Sequence, residues 1–495
     1  MSGHSPRVAV IGAGISGVVT AGHLLEAGIE VTVFERNHAA GGVWLYDKRT
    51  PIEVQYPAAR PSDAEQHVED GRDKIERQFL LHAPPGPCYE SLTNNVPTPL
   101  LRTKLNAWPE GTAPFVKHNV LREYIQDTSK KAGVDAVTLY GTRVTKVYKD
   151  GSTWQVRWSS LHNNTQTASL AEKQEASTFD SVVIASGHYH TPLIPDIPGL
   201  PDAKAKWPSR IFHSKSFRRS EGFKGKNILL VGGGVSSLDI AREISPFVHQ
   251  IHQSTRGGAF DFPSSALPAN ATRISEIAAL ELISSETVQE NEHLALTIHL
   301  KSGETLPDID QIILCTGYQM VLPFLAEYNN HDLPVTEANE SVLVTDGTQV
   351  HNLHRDIFYI PDPTLSFVGI PFYTATFTLF EFQAIAVAAF VSGVAQLPST
   401  KAMRDEYTDR VKAKGYGRKF HSLREEERPY VKGLVDWVNA ARVARGLSLV
   451  EGHTPTWIQE KEAHLERLNQ VLSGNTQTET PETRVEGPIE VDVAV

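Results

Sequence analysis

Cysteine is scarce: the 495 residues contain two, Cys88 and Cys315, and no CxxC pair. That excludes a disulfide scaffold and a local dithiol redox centre, and it suits a reducing compartment. Positive charge is in deficit as well. Against 58 acidic residues stand 47 basic ones, a net −11, which argues against a nucleic-acid partner. Long apolar runs are missing too. The most apolar late stretch, Leu379 to Leu397, is interrupted by Glu381 and Gln383, so a buried helix is expected there rather than a membrane span. No leader is expected, because the first core strand begins at Val8, and no hydrophobic anchor is expected at the other end. A soluble, cytoplasmic protein with no metal centre is the expectation. With 40% hydrophobic and 21% charged residues, the chain can build about two to three domains with large cores.

What is present is organised around Arg7 to Glu35. Val8-Ala9-Val10-Ile11 predicts a short buried strand, and Gly12-Ala13-Gly14-Ile15-Ser16-Gly17 opens a helix that stops at Gly28. Val31-Thr32-Val33-Phe34 returns as a strand ending in Glu35. Each residue has a task in holding a dinucleotide. Gly12 makes the tight turn, Gly14 lets backbone approach a pyrophosphate, and Gly17 lets helix and strand pack closely. The pyrophosphate sits on the helix N-terminus, where free N–H groups and the dipole favour an anion. Glu35 lies where a carboxylate accepts from a ribose hydroxyl. Gly41-Gly42-Val43-Trp44 is a turn beside the nucleotide, with an aromatic ring that can pack on the cofactor.

From Asp47 to Gln78 the chain is polar with no clear period and is expected to be a surface excursion. Tyr89 to Pro97 follows, and its Asn94-Asn95-Val96-Pro97 stretch, taken alone, predicts a turn. Helical spacing runs from Phe115 to Gly133. Strands follow near Val137–Tyr148 and Trp154–Trp158, then a polar loop from Ser159 to Ser177, together a small meander over the nucleotide fold. Asp180 to Gly187 is a buried strand entering a small-residue turn. Pro192, Pro195, Pro198 and Pro201 mark a rigid, non-helical domain boundary.

A second nucleotide unit lies beyond. Asn227 to Val231 is its strand, Gly232-Gly233-Gly234-Val235-Ser236-Ser237 its turn, with Ser237 in place of the third glycine, and Leu238 to Ile244 its helix. The next strand, Val248 to Gln253, ends not in an acid but in Ser254-Thr255-Arg256. A carboxylate would repel a 2′-phosphate, whereas hydroxyls and a guanidinium bind one. Site one therefore takes FAD or NAD, and site two NADP. Ile312 to Tyr318 repeats the pattern of Val182 to Gly187, which predicts a return to the first domain. The expected fold is α/β, with two Rossmann-like dinucleotide-binding domains, the second inserted into the first. The expected boundaries are 1–200, 201–320, 321–455, and 456–495 for a helix end and disordered tail.

Trp207-Pro208-Ser209-Arg210-Ile211-Phe212-His213-Ser214-Lys215-Ser216-Phe217 resembles the FxGxxxHxxx(Y/F) linker of flavin-containing monooxygenases, departing at Trp207 and Ser209. Phe34-Glu35, Gly41 to Trp44, Tyr89 to Pro97, Ser186 to Tyr189, Thr316 to Tyr318 and Glu381-Phe382-Gln383 extend the likeness over nearly all of residues 7 to 450. The resemblance is closest to the fungal and plant branch. It implies FAD held by Gly12, Gly14, Ser16, Gly17, Glu35, Arg36, Gly42, Val43, Trp44, Thr93, Asn94, Asn95, Val144, Ser186, Gly187, Thr316, Gly317, Tyr318 and Gln383. It implies NADPH held by Gly232, Gly234, Ser236, Ser237, Ser254, Thr255 and Arg256. The family's active-site asparagine maps to Asn95, with Asn94 its rival, and His213 organises the hinge rather than reacting. The implied reaction joins NADPH and O2 through a flavin C4a-hydroperoxide that oxygenates a soft nitrogen or sulfur nucleophile of a small molecule. Relatives suggest a homodimer.

Three other readings compete. A Baeyer–Villiger oxygenase carries tryptophan where this chain has Phe217. A non-catalytic NADP(H) sensor would bind both nucleotides without turnover. A disulfide reductase needs a nearby cysteine pair that this chain lacks.

Arg256→Ala is expected to weaken NADPH binding by about 1.5–3 kcal/mol, the worth of a charge-assisted hydrogen bond. NADH binding should barely change. Titration with both nucleotides checks this, and equal weakening would make Arg256 structural.

Overall fold

The computed structural model describes residues 5–63, 67–164, 169–283 and 293–472. Val8, Ala9 and Val10 are fully buried, as a central parallel strand apolar on both faces must be. That strand, β1 (Arg7–Ile11), passes through the glycine turn into α1 (Ile15–Glu26) and returns as β2 (Glu30–Phe34), parallel to β1. Gly28 takes φ +74°, the left-handed geometry that ends a helix at little cost to glycine. After α2 (Lys74–His82) and α3 (His118–Lys131), β3 (Thr138–Leu139) adds to the outer edge of β2.

An antiparallel layer follows, made of β4 (Thr142–Asp150), β5 (Thr153–Asn164) and β6 (Ser169–Phe179). Here the expected polar loop from Ser159 to Ser177 is corrected. Most of it is strand, paired from Trp154 with Phe179 out to Asn164 with Ser169. Backbone hydrogen bonds hold this extension, so its polar side chains carry little of the alternation that betrays a half-buried strand. β7 (Ser181–Ile184) then rejoins the sheet beside β1.

The chain leaves through β8 (Thr191–Pro192). α4 (Leu200–Lys206) accepts Pro201 in its first turn, so the non-helical crossing ends sooner than the prolines suggest. β9 (Ile211–His213), β10 (Asn227–Val231), α5 (Val235–Ile244), β11 (Gln250–Ser254) and β12 (Ala271–Ile274) begin the second unit. β13 (Ile277–Leu282), β14 (Leu296–Leu300) and β15 (Thr305–Leu306) form a small antiparallel sheet, and β16 (Gln311–Leu314) completes the parallel order β12-β11-β10-β16-β9. β17 (Tyr318–Gln319) then pairs antiparallel with β8, so the outgoing and returning chains run side by side. β18 (Leu353–His354), β19 (Phe358–Tyr359) and β20 (Leu365–Phe367) finish the first sheet, β20 lying parallel to β7. One Rossmann-like fold is thus inserted into another.

α6 (Thr376–Val391) packs on α1 and is buried nearly all round. Among the described residues, no helix is long and apolar enough to cross a membrane. α7 (Thr400–Lys414), α8 (Glu427–Val443) and α9 (Pro455–Leu472) close the fold. The expected disordered tail lies outside the described residues.

The stretch from Asp47 to Gln78 is a surface excursion only in its later part: residues 59–63 and 67–78 are mostly exposed or half-buried, whereas its first part enters the interior. Ile52, Val54, Tyr56 and Ala58 are buried, and the last three join the apolar core of the inserted domain. The charged end of Lys204 lies against Glu53 and donates to the carbonyls of Pro208 and Ile211 at 2.8 Å each. The two side chains are 11% and 17% exposed. Removing one member of such a pair strands the other charge, so Lys204→Ala should destabilise the fold by about 3 kcal/mol. Breaking the exposed pair Lys432–Asp436, 2.6 Å apart, should cost less than about 0.5 kcal/mol. Denaturant unfolding of both variants tests the contrast.

Candidate functional site

The first glycine turn is built by steric necessity. A Cβ on Gly17 would stand 1.8 Å from the Gly12 carbonyl oxygen, and one on Gly12 2.5 Å from that of Ala185. Gly12 itself takes φ +107°. Gly14 caps α1 without a side-chain hydrogen bond, which leaves the helix N-terminus open to an anion. The Gly41 N–H donates to the Ala13 carbonyl at 3.0 Å, and a Cβ on Gly42 would lie 2.8 Å from the Gly14 Cα. Backbone therefore closes on backbone around the turn.

A cavity of about 670 Å³ opens here. Gly12, Gly14, Ser16, Glu35, Arg36, Gly42, Val43, Trp44, Val144, Ser186 and Gly187 all line it, as expected for a cofactor site. Glu35 is buried and already accepts from Ala13 N–H (2.7 Å), Asn37 N–H (2.8 Å) and Asn37 Nδ2 (2.9 Å). A carboxylate has about four lone-pair sites, so one remains for a ribose hydroxyl while the others brace the turn.

Sequence reasoning missed several lining residues. Glu53, Tyr56 and His67 come from the supposed excursion. His190 donates from Nε2 to the Ser186 carbonyl (2.7 Å) and accepts at Nδ1 from Arg36 (2.7 Å); burial, with Arg36 and Lys215 beside it, holds it neutral. Lys215 Nζ donates to the His190 carbonyl at 2.6 Å, and burial with Arg36 and Arg218 nearby lowers it to about 7. Its position inside the linker signature was the available signal.

Other expected residues lie elsewhere. Gly17 is interior. Gln383 is fully buried, its Oε1 accepting from Gly369 N–H (3.0 Å) and its Nε2 donating to the Tyr430 hydroxyl (2.7 Å). Its bearing on the cavity therefore runs through Gly369, which lines it. Thr316 donates to the Leu193 carbonyl at 2.5 Å, and the Gly317 carbonyl accepts from Leu193 N–H (2.9 Å) and His213 Nε2 (3.1 Å). Arg418 donates to the Tyr318 carbonyl. These residues tie the two crossing chains together. His213, by contrast, does line the cavity; it accepts at Nδ1 from Lys215 N–H (3.1 Å), and burial lowers it to about 3, so it is neutral. Trp207 fills the core, and exposed Ser209 has no left-handed backbone that would demand glycine.

Thr93, Asn94 and Asn95 do not line the cavity. Asn94 is 1% exposed, donates to the carbonyls of Val96 (2.7 Å) and Pro114 (2.8 Å), and accepts from Val116 N–H (2.6 Å). Asn95 is half-buried, and its amide makes no hydrogen bond among the described residues.

The second turn repeats the first. A Cβ on Gly232 would stand 2.3 Å from the Cys315 carbonyl oxygen, and Gly234 caps α5 without a side-chain bond. Ser236 lies in the first turn of α5. Ser237 is buried and accepts from Gln253 Nε2 at 2.8 Å. The hydroxyls read as phosphate ligands are otherwise engaged: Ser254 donates to the Ser275 carbonyl (2.9 Å), and Thr255 donates to Asp261. Arg256 is exposed and forms no ion pair among the described residues, which leaves it the free cation beside this turn.

Two dinucleotide cradles in one chain, one with an acid after its second strand and one with an arginine, define a two-nucleotide oxidoreductase. A family model described as flavin-binding monooxygenase-like matches residues 86–265, and one described as an NAD(P)-binding Rossmann-like domain matches residues 10–69. Flavin-containing monooxygenase ustF2 of Aspergillus flavus is 51% identical, covering 92% of this chain and 96% of that one. Flavin-containing monooxygenase ustF1 of the same organism is 46% identical over 92% and 88%. S-allyl-L-cysteine S-oxygenase from Allium sativum shares the fold, with a TM-score of 0.69 at 24% identity over 94% of each chain. The chain belongs to the flavin-containing monooxygenase family. FAD and NADPH are its cofactors.

Gly17→Ala should cost about 3 kcal/mol through overpacking and yield protein without bound flavin. The flavin absorbance of the purified variant tests this, and wild-type flavin content would mean that the turn can relax.

Proposed function

We propose that this monooxygenase oxygenates a soft nucleophile, an amine nitrogen or a thiol or thioether sulfur, of a small molecule, with Asn95 acting at the flavin. The observation that carries the reading is the contrast between neighbouring asparagines. Asn94 has both ends of its amide bound to backbone, so it builds the loop, whereas the Asn95 amide remains available to a ligand.

Bound FAD, reduced by NADPH, supplies the activation of O2. The chain does the rest. The open end of α1 and Gly14 receive the FAD pyrophosphate, and Glu35 orients its ribose through its remaining lone pair. The open end of α5 and Arg256 receive NADPH. Asn95, which lies outside the lining of the cavity but has an uncommitted amide, would offer a hydrogen-bond donor toward the bound flavin. Orientation and exclusion of water are the protein's contribution. Phe217 supports a soft nucleophile over a Baeyer–Villiger carbonyl. It stands where that class carries tryptophan, and it packs on Tyr89 and Phe223 at centroid distances of 5.2 and 5.7 Å.

Asn95→Ala should reduce its flavin at close to the wild-type rate yet lose oxygenated product, with hydrogen peroxide replacing it. Parallel assays of NADPH, peroxide and product measure this. Coupled turnover at the wild-type level would overturn the reading.

A further inference from the structure

The second cradle has no acid at the end of its second strand, where β11 runs out into Ser254-Thr255-Arg256. The fold supplies one from elsewhere. Asp261, six residues beyond Thr255, turns back so that its carboxylate lies over the middle of the glycine turn: a Cβ on Gly233 would stand 2.6 Å from its Cγ. One oxygen, Oδ2, accepts from both the Thr255 hydroxyl and the Gly258 N–H, the latter at 2.7 Å. The Thr255 hydroxyl in turn accepts from Gly257 N–H at 3.1 Å. Among the described residues Arg256 forms no ion pair with Asp261, so the carboxylate spends itself on neutral donors. The loop is anchored independently of that carboxylate. Phe262 N–H donates to the Gly233 carbonyl (2.8 Å) and Asp261 N–H to that of Gly258 (3.0 Å). The Phe260 ring packs on Tyr373 and Phe372 of the first domain at centroid distances of 5.6 and 5.7 Å.

We propose that Asp261 is a specificity-determining residue for the pyridine nucleotide: its carboxylate engages the donors that the NADPH 2′-phosphate requires, and that phosphate must displace it to bind. The inference rests on the reading that Thr255 and Arg256 face the 2′-phosphate. A hydroxyl and a backbone N–H serve a phosphate as readily as a carboxylate, but not both at once. Two anions sharing one such site also repel each other. A ribose 2′-hydroxyl, by contrast, donates to a carboxylate, which is why NAD sites place an acid here. Asp261 thus offsets part of the preference that Arg256 confers, and it lowers affinity for NADPH without a matching loss for NADH. Because the loop keeps its other anchors, the exchange needs only the rotation of one half-buried side chain.

The test is titration of the oxidised, FAD-loaded enzyme with NADP+ and NAD+, which bind without turnover. Asp261→Asn removes the charge yet retains an amide oxygen, which can accept both hydrogen bonds that Oδ2 accepts now. NADP+ should bind about threefold to fivefold more tightly, the scale of one partly exposed charge, while NAD+ stays within about twofold. The gain should shrink at high ionic strength. Asp261→Ala frees both donors as well. It should shift the ratio of the two dissociation constants in the same direction, even where a looser loop weakens both nucleotides. Arg256→Ala, run beside them, separates the two readings. Suppose it weakens NADP+ alone, while Asp261→Asn leaves NADP+ unchanged, weakens it, or tightens both nucleotides alike. This inference is then overturned and the reading of Arg256 stands. If Arg256→Ala weakens both nucleotides equally, the 2′-phosphate does not lie at this edge, and the reading and the inference fall together.

Discussion

Between Gly12 and Gly17 the backbone leaves no space for a side-chain carbon, and the same is true between Gly12 and Ala185. That contact sets how near α1 can lie to β1 and β7, and so where the open end of the helix points. The other features of the first site follow from it. Glu35 braces the Ala13 N–H, Gly41 closes on the Ala13 carbonyl, and Gly42 lies against Gly14. An anion at this helix end meets backbone donors already aimed at it, so little ordering is left to do when the cofactor binds.

The second cradle solves the same problem with a different third residue. Gly232 is pressed against the Cys315 carbonyl as Gly12 is against that of Ala185, so the two turns are structural repeats. Ser237 shows that the third position of this turn holds a side chain. Its hydroxyl is buried and is satisfied by Gln253, which in turn accepts from Arg273 Nη2 at 2.6 Å. A serine without that amide would be an unsatisfied buried hydroxyl, costing about 1–3 kcal/mol. The departure from the glycine pattern is therefore compensated locally, on the adjacent strand.

What could be read from the residues divides along the same physical line. Glycine turns, the strands they join and the return after the insertion were legible because local backbone sterics and period dictate them. The polar parts of β5 and β6 were not, because their ladder is made by backbone atoms that every sequence possesses. The buried run after Asp47 did carry a signal, apolar residues at 52, 54, 56 and 58, but it is short, contains Pro57, and sits among charged neighbours. Side-chain partners were the least legible. Asn94 and Gln383 were expected at the cofactor, yet their amides bind backbone and Tyr430, and only tertiary placement decides that. Lys215 and His190 were visible in the sequence, but nothing local revealed that they face one cavity.

Insertion creates a mechanical requirement. Two cradles built on separate sheets must be held at a set separation for a hydride to pass between their ligands, and a pair of crossing strands, β8 and β17, is a narrow connection for that purpose. The structure supplements it at several further places, among them Val54, Tyr56 and Ala58 in the core of the second domain. α9 begins with Trp457 in the core of the first domain, its indole donating to the Leu100 carbonyl at 3.3 Å, and ends with Leu468 packed against Leu238, Phe262 and Ala266 of the second. Residues 86–98 cross on the other route, tied to α5 and to residues 113–118. Several separated attachments resist rotation where one would act as a pivot.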